Sequence, residues 1–252
     1  MAVPQPGRRD GAGTGGGRVI VLGIETSTPQ TSVALGSERG SVASVLLSAG
    51  RSNHEMVIPA VEHILRWSNT PVSHVGGIAV GIGPGLFTGL RVGVQTAKSL
   101  AQVLQIPVVG LVSLDVLAFA VRYTSRIIGS VIDARRSEVF YCFYRPVPGG
   151  VTRVTEFQVG PPSHLAAELE AKPDEILLVG DGAYRYHHEL AEAGPHVDFA
   201  SPALGYPHAD ELVELSIPRF HREEFDRVAD VVPLYLRKSD AEIAWDQRAR
   251  TG

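Results

Sequence analysis

Between residues 18 and 48 the apolar side chains come in three short runs, 18–24, 31–36 and 42–48, broken by Thr28-Pro29-Gln30 and Ser37-Glu38-Arg39-Gly40. Short runs separated by such turn formers predict three strands in an antiparallel meander. The spacing then changes. Over 52–67, Val57, Ile58, Val61, Ile64 and Leu65 fall on one broad helical face, and Ser52 with Glu55 three residues on predicts a capping box. A strand over 77–82, a helix with apolar positions Leu90, Val94, Ala97, Ala101 and Leu104, and a strand over 107–111 complete a β-β-β-α-β-α-β unit. Strands alternating with crossover helices predict an α/β layered fold.

A similar, less regular succession follows: a helix over 113–123, strands over 127–132 and 138–145, a Pro/Gly turn at 146–150, a further strand, a helix near 163–170, a strand over 176–179 and a helix after Gly182. A helix over 209–217 and a segment at 231–237 close the pattern. The expected organisation is a flexible tail over 1–17, a first lobe over 18–112, a second lobe over 113–238 whose last helix returns to the first, and a flexible tail over 239–252. No short sequence repeat is visible.

Composition narrows the function classes. The 252 residues are 44% apolar and 20% charged, as in an ordinary globule. A net charge of -4 and a pI near 6.1 argue against a protein that grips nucleic acid alone over a broad basic surface. The one cysteine, Cys142, sits in an apolar run and reads as a small buried hydrophobe in a reducing compartment. The first seventeen residues hold no apolar signal core and no run reaches membrane-span length, so a cytoplasmic protein is expected.

The densest chemistry lies at 81–93, where five glycines and Pro84 stand between a strand pattern and a helical one. Glycines let backbone N–H groups approach a partner closely, and a helix start favours an anion. Thr88 is the expected N-cap and Arg91 a guanidinium for the same anion. Neither common phosphate fingerprint fits: Leu86 or Thr88 stands where G-x-G-x-x-G needs its third glycine, and Val92 and Ala97 break the Walker A pattern before Lys98-Ser99. Close packing alone also calls for such a turn.

Six stretches in order, Ile24-Glu25-Thr26-Ser27, His54-Glu55, Gly83-Pro84-Gly85-x-Phe87-Thr88-Gly89-Leu90-Arg91, Ser113-Leu114-Asp115, Ile132-Asp133-Ala134-Arg135 with Glu138, and Tyr235-Leu236-Arg237, resemble the bacterial TsaB (YeaZ) family from about residue 19 to 237. The resemblance implies an actin-like, sugar-kinase-like (ASKHA) fold of two RNase H-like lobes. It also implies a part in placing the threonylcarbamoyl group of threonylcarbamoyl-adenylate on N6 of the adenosine next to the anticodon (t6A) in tRNAs. In that family's system a homologous transferase, TsaD, carries the metal and the chemistry, TsaB binds it as a scaffold, and the ATPase TsaE assists. A homodimer when alone and tRNA reached only through the complex belong to the same expectation, as does the superfamily label of an M22-like glycopeptidase.

The residues can be tested against each reading. An i, i+4 histidine pair would put two imidazoles on one helix face, but His54 meets Ile58 at the partner position, which removes both the transferase metal pair and a His-Glu-x-x-His protease. No metal ligand and no catalytic residue are assigned. Glu25 stands where the fold's ATPases carry Asp, with Thr26 and Ser27 offering hydroxyls, though a plain turn uses the same groups. Asp133 and Arg135 could pair a carboxylate with an anion binder, and Gly180 and Gly182 lie where relatives meet adenosine. Glu25, Thr26, Ser27, Gly83, Gly85, Thr88, Gly89, Arg91, Asp133, Arg135, Gly180 and Gly182 thus outline a vestigial nucleotide or anion cleft, with no cofactor of the chain's own expected. The helix over 52–67 carries more apolar residues than one sheet-facing stripe needs, so His54, Val57, Ile58, Val61 and Leu65 are assigned to a partner interface. A non-catalytic scaffold subunit is the leading expectation, ahead of a stand-alone ASKHA ATPase or phosphotransferase and a glycopeptidase.

Overall fold

The first run of apolar residues becomes β1 (Ile20–Glu25), which pairs antiparallel with β2 (Thr31–Ser37) and parallel with β4 (Val75–Gly83) in a computed structural model that describes residues 19–48 and 55–237. β3 (Gly40–Leu47) extends the hairpin and β5 (Val108–Val112) closes the other side, giving the order β3-β2-β1-β4-β5. The central strand is apolar on both faces because both are covered. On one face Leu22, Ile24, Val33 and Leu35 meet Val57, Ala60, Val61 and Ile64 of α1 (Val57–Trp67) and Val94, Ala97 and Ala101 of α2 (Phe87–Leu104). Each such large side chain taken from water contributes roughly 1.5–3 kcal/mol.

The second sheet rebuilds the same plan. β6 (Ile127–Arg135) pairs antiparallel with β7 (Glu138–Val147) and parallel with β10 (Ile176–Val179), β8 (Gly150–Arg153) follows β7, and β11 (Val197–Phe199) lies beside β10. Its order, β8-β7-β6-β10-β11, matches the first sheet strand for strand, with β9 (Gln158–Gly160) added on β7. α4 (Pro162–Ala171), α5 (Asp181–Arg185) and α6 (His187–Ala191) cover one face.

Two helices trade places between the sheets. α3 (Ser113–Ala120) follows β5 yet sets Leu114, Leu117 and Ala118 against Ile128, Ile132 and Tyr144 of the second sheet. α7 (Ala209–His221) follows β11 yet sets Ala209, Leu212, Val213 and Phe220 against Val21, Ala34 and Ala79 of the first. Past α7 the chain runs extended through 231–237 rather than as a regular element, with Val231 in the first core and the Leu234 N–H donating to the Ile82 carbonyl at 2.7 Å.

Several boundaries differ from the sequence expectation. α2 starts at Phe87 after Leu86, so Thr88 is an exposed first-turn residue and caps nothing. The Leu86 N–H donates to the Ser27 carbonyl at 2.6 Å, and this long-range bond sets where the helix begins. The capping box expected at Ser52 lies outside the described residues. The helix expected after Gly182 is two short helices meeting at Tyr186, the helix at 113 stops at Ala120, and α7 runs on to His221.

Candidate functional site

The site grows from the C-terminal ends of the central strands, where α/β sheets open their crevices. In the first lobe the turn after β1 is buried throughout: Glu25, Thr26, Ser27 and Thr28 are at most 5% exposed. The glycine loop closes over it. A Cβ at Gly81 would lie 2.0 Å from Glu25 Oε2, at Gly85 2.1 Å from the Ser27 carbonyl, and at Gly89 2.1 Å from the Thr26 carbonyl. The Thr26 hydroxyl donates to the Gly89 carbonyl at 2.8 Å. The cradle predicted for an anion is therefore filled by the chain's own backbone. Its glycines permit close approach, and what approaches is the β1–β2 turn.

Glu25 is sealed at the bottom. Its Oε1 accepts from the Ser27 N–H at 2.7 Å and its Oε2 from the Ser113 hydroxyl at 3.0 Å. Full burial pushes its carboxyl above the ordinary value, and these hydrogen bonds only partly offset that. A carboxylate with no exposed surface and both oxygens engaged does not fit a hydrated metal ion. Among the described residues there is no group of three or more His, Cys, Asp and Glu placed to hold one.

The second lobe keeps its carboxylates at the cleft. Asp133, near the end of β6, accepts from the Arg135 N–H at 2.9 Å, and the Arg135 and Arg185 guanidiniums lie 3.2 and 3.7 Å from its Oδ2. Asp181 follows β10 and accepts from the Asp133 N–H at 3.0 Å. Burial, with the Asp133 charge beside it, pushes the Asp181 carboxyl up to about 6. Gly180 is required here: its φ is +116°, and a Cβ would meet the Val131 carbonyl at 2.1 Å. Gly182 sits almost as tightly on Ile132.

Between the lobes a cavity of about 310 Å³ is lined by Gly85, Thr88, Asp133, Arg135, Tyr235 and Arg237, among others. The structure thus brings Gly85, Thr88, Asp133 and Arg135 to one cavity. It places Glu25, Thr26, Ser27 and Gly89 behind the loop, Gly83 against Leu90 and the Leu234 carbonyl, and Gly180 and Gly182 against the β6 backbone. Arg91 points elsewhere, with its guanidinium 4.0 Å from the Phe87 ring centre and 3.4 Å from the Tyr235 hydroxyl. Sequence reasoning passed over Asp181, although it stands between two assigned glycines, and the strap in which Tyr235 stacks on Phe87 at 5.0 Å and Arg237 ion-pairs with Glu138.

The partner-interface assignment needs correction. Val57 and Val61 are 1% and 6% exposed and belong to the first core, so neither is presented to a partner. Leu65 is half-buried against the same core, and His54 lies outside the described residues. Ile58 is 45% exposed, and the outer side of α1 adds Met56 and Trp67, the latter 69% exposed with the His63 ring 3.8 Å away. No helix among the described residues is long and apolar enough to cross a membrane.

Two lobes of one RNase H-like topology, closing on a shared cleft, define an ASKHA-type protein. The TsaD family, tRNA N6-adenosine threonylcarbamoyltransferase, matches residues 47–245. The chain belongs to this family and, within it, to the TsaB/YeaZ proteins. It is 29% identical to the tRNA threonylcarbamoyladenosine biosynthesis protein TsaB of Bacillus subtilis, over 90% of this chain and 98% of that one. To the Escherichia coli TsaB it is 28% identical, over 89% and 96%. The solved structure of YeaZ from Pseudomonas aeruginosa superposes with a TM-score of 0.75 at 28% identity, covering 86% of this chain and 100% of that one.

Proposed function

We propose that this chain takes its part in tRNA threonylcarbamoyladenosine biosynthesis as a non-catalytic subunit, supporting a TsaD-type transferase through the outer side of its first lobe. The observation that carries the reading is the filled cradle. Where an ASKHA enzyme would hold phosphates and a metal, Ser27 and Thr26 carbonyls press on Gly85 and Gly89 and Glu25 is shut away behind Gly81. The first lobe then has no route to the chemistry and retains a surface. On this reading the chain works in the cytoplasm without a cofactor of its own, beside a TsaE-type ATPase, meets tRNA only through the complex, and pairs with itself when the transferase is absent.

Ile58, Met56 and Trp67 are the contacts offered in place of Val57 and Val61. Single apolar side chains exposed on a helix are ordinary; three on one helix beside family membership favour a partner. The test is reconstitution from this chain, its own organism's transferase and ATPase, threonylcarbamoyl-adenylate and unmodified tRNA. Modification should fall at least ten-fold when the chain is omitted. The double variant Ile58→Glu/Trp67→Glu should lower transferase capture about ten-fold with an unchanged melt, whereas Val61→Glu should unfold the first lobe by burying a charge in its core. Undiminished modification without the chain would sink the scaffold role. ATP turnover by the isolated chain, lost in Glu25→Gln, would replace it with an enzyme.

A further inference from the structure

Away from the interlobe cleft, a groove of about 650 Å³ runs between the β2–β3 hairpin and α7 and reaches Gly149 at the β7–β8 turn. Its floor is apolar, with Leu35, Val213, Ile217 and Phe119. Its rim is acidic: Glu38, Asp210, Glu211 and Glu214 line it against a single cation, Arg39. Glu214 is paired with Arg122 at 2.6 Å, and Glu38 lies 3.8 Å from His221. Asp210 and Glu211 stand in the first turn of α7, where the helix dipole favours acids. The dipole does not complete Glu211, whose Oε2 is shielded from water and has no hydrogen-bond partner among the described residues. A buried carboxylate oxygen in that condition calls for a donor, and a guanidinium is the side chain best shaped to supply one.

The same chain carries such donors next door. Val19, the first described residue, packs against the α7 core, and Val21 pairs with Gly36, which itself lines the groove. Residues 1–18 contain three arginines, Arg8, Arg9 and Arg18, against one acid, Asp10, on a chain whose net charge is -4. Val3 and Pro4 precede the Arg8-Arg9 pair, and a glycine-rich link over 11–17 joins it to β1. Ten residues separate Arg9 from Val19, and a Gly-rich link of that length has a root-mean-square span of roughly 16–19 Å. Such a tether holds its ligand at an effective concentration on the order of millimolar, so a weak contact suffices for occupancy.

We propose that the chain's own N-terminal segment docks in this groove, with the Arg8-Arg9 pair facing Asp210 and Glu211 and Val3-Pro4 laid on Leu35, Val213 and Ile217. The groove is then an intramolecular docking surface for a basic segment, separate from the α1 face and from the interlobe cleft. The test uses the full chain with a nitroxide at Val3→Cys; Cys142 is fully buried and stays unlabelled. Amide signals of Glu38, Asp210 and Glu211 should lose more than half their intensity and recover when the nitroxide is reduced. Charge reversal by Arg8→Glu/Arg9→Glu, outside the folded core, should abolish the effect, and about 0.5 M salt should weaken it. The proposal is overturned if those amides do not broaden, if broadening survives the charge reversal, or if it appears only when spin-labelled chain is mixed with a separate isotope-labelled copy.

Discussion

Glu25 and Asp133 hold the same place in two copies of one topology, near the end of the strand at the centre of each sheet, yet only one of them reaches the cleft. In the first lobe the β1–β2 turn settles into the glycine loop and both Glu25 oxygens are bonded inside the protein. In the second, the β6–β7 hairpin carries Arg135, Arg136 and Ser137 at positive φ, and Asp133 keeps an exposed guanidinium on Arg135 and the Asp181 carboxylate as neighbours. The contrast teaches that a glycine-rich strand-to-helix loop states only that something comes close. Whether that is a ligand or the chain itself depends on the turn facing it.

The largest test of this contrast is steric. Gly89→Ala forces a Cβ onto the Thr26 carbonyl and should destabilise the protein by about 3 kcal/mol, whereas Gly182→Ala, with its nearest atoms at 2.9 Å, should cost about 1 kcal/mol in denaturant unfolding. Equal costs would mean that the first-lobe loop opens easily, and its cradle would then be available to a ligand. Next comes Ser113→Ala, which leaves Glu25 Oε2 without its donor and should cost about 1–3 kcal/mol while leaving tRNA modification by the reconstituted complex intact.

A pH series separates the lobes further. Asp181 has a folded-state value of about 6 against 3.8 for an ordinary Asp, so its contribution is fully present below about pH 4 and is lost as pH rises through about 6. Asp181→Asn should remove that decline, and the wild type should lose unfolding free energy relative to the variant between pH 4 and 6. A parallel pair of curves would show that the second-lobe carboxylates are not strained by their proximity. The smallest effect is expected for Arg237→Ala, which breaks the partly exposed pair with Glu138 across the cleft and should cost no more than about 1 kcal/mol in the same assay.

Much of the architecture is legible in the hydrophobic pattern, because strands buried on both faces leave continuous apolar runs; the run at 176–179 coincides with β10. β9 and β11, three residues each, are too short to leave a period. On α1 the pattern shows a wide stripe but not which part faces the sheet: Val57, Ala60, Val61 and Ile64 take the core and Ile58 is left outside. The cleft is half legible. Gly85, Thr88, Asp133 and Arg135 converge as the motifs suggest, while the sealing of Glu25 depends on Ser113, 88 residues away, a partner that no local spacing reveals.

The exchange of α3 and α7 has a consequence for how the chain is made. The first lobe is synthesised early, but one face of its sheet stays bare until α7 arrives, with the Ala209 N–H donating to the Ser32 hydroxyl across 177 residues of sequence. Contacts of such separation form slowly, and an apolar sheet face left open meanwhile invites association with other chains. A ribosome stalled before α7 would therefore display Val21, Ala34 and Ala79 to the cell, and the half of the molecule translated first would be the half completed last.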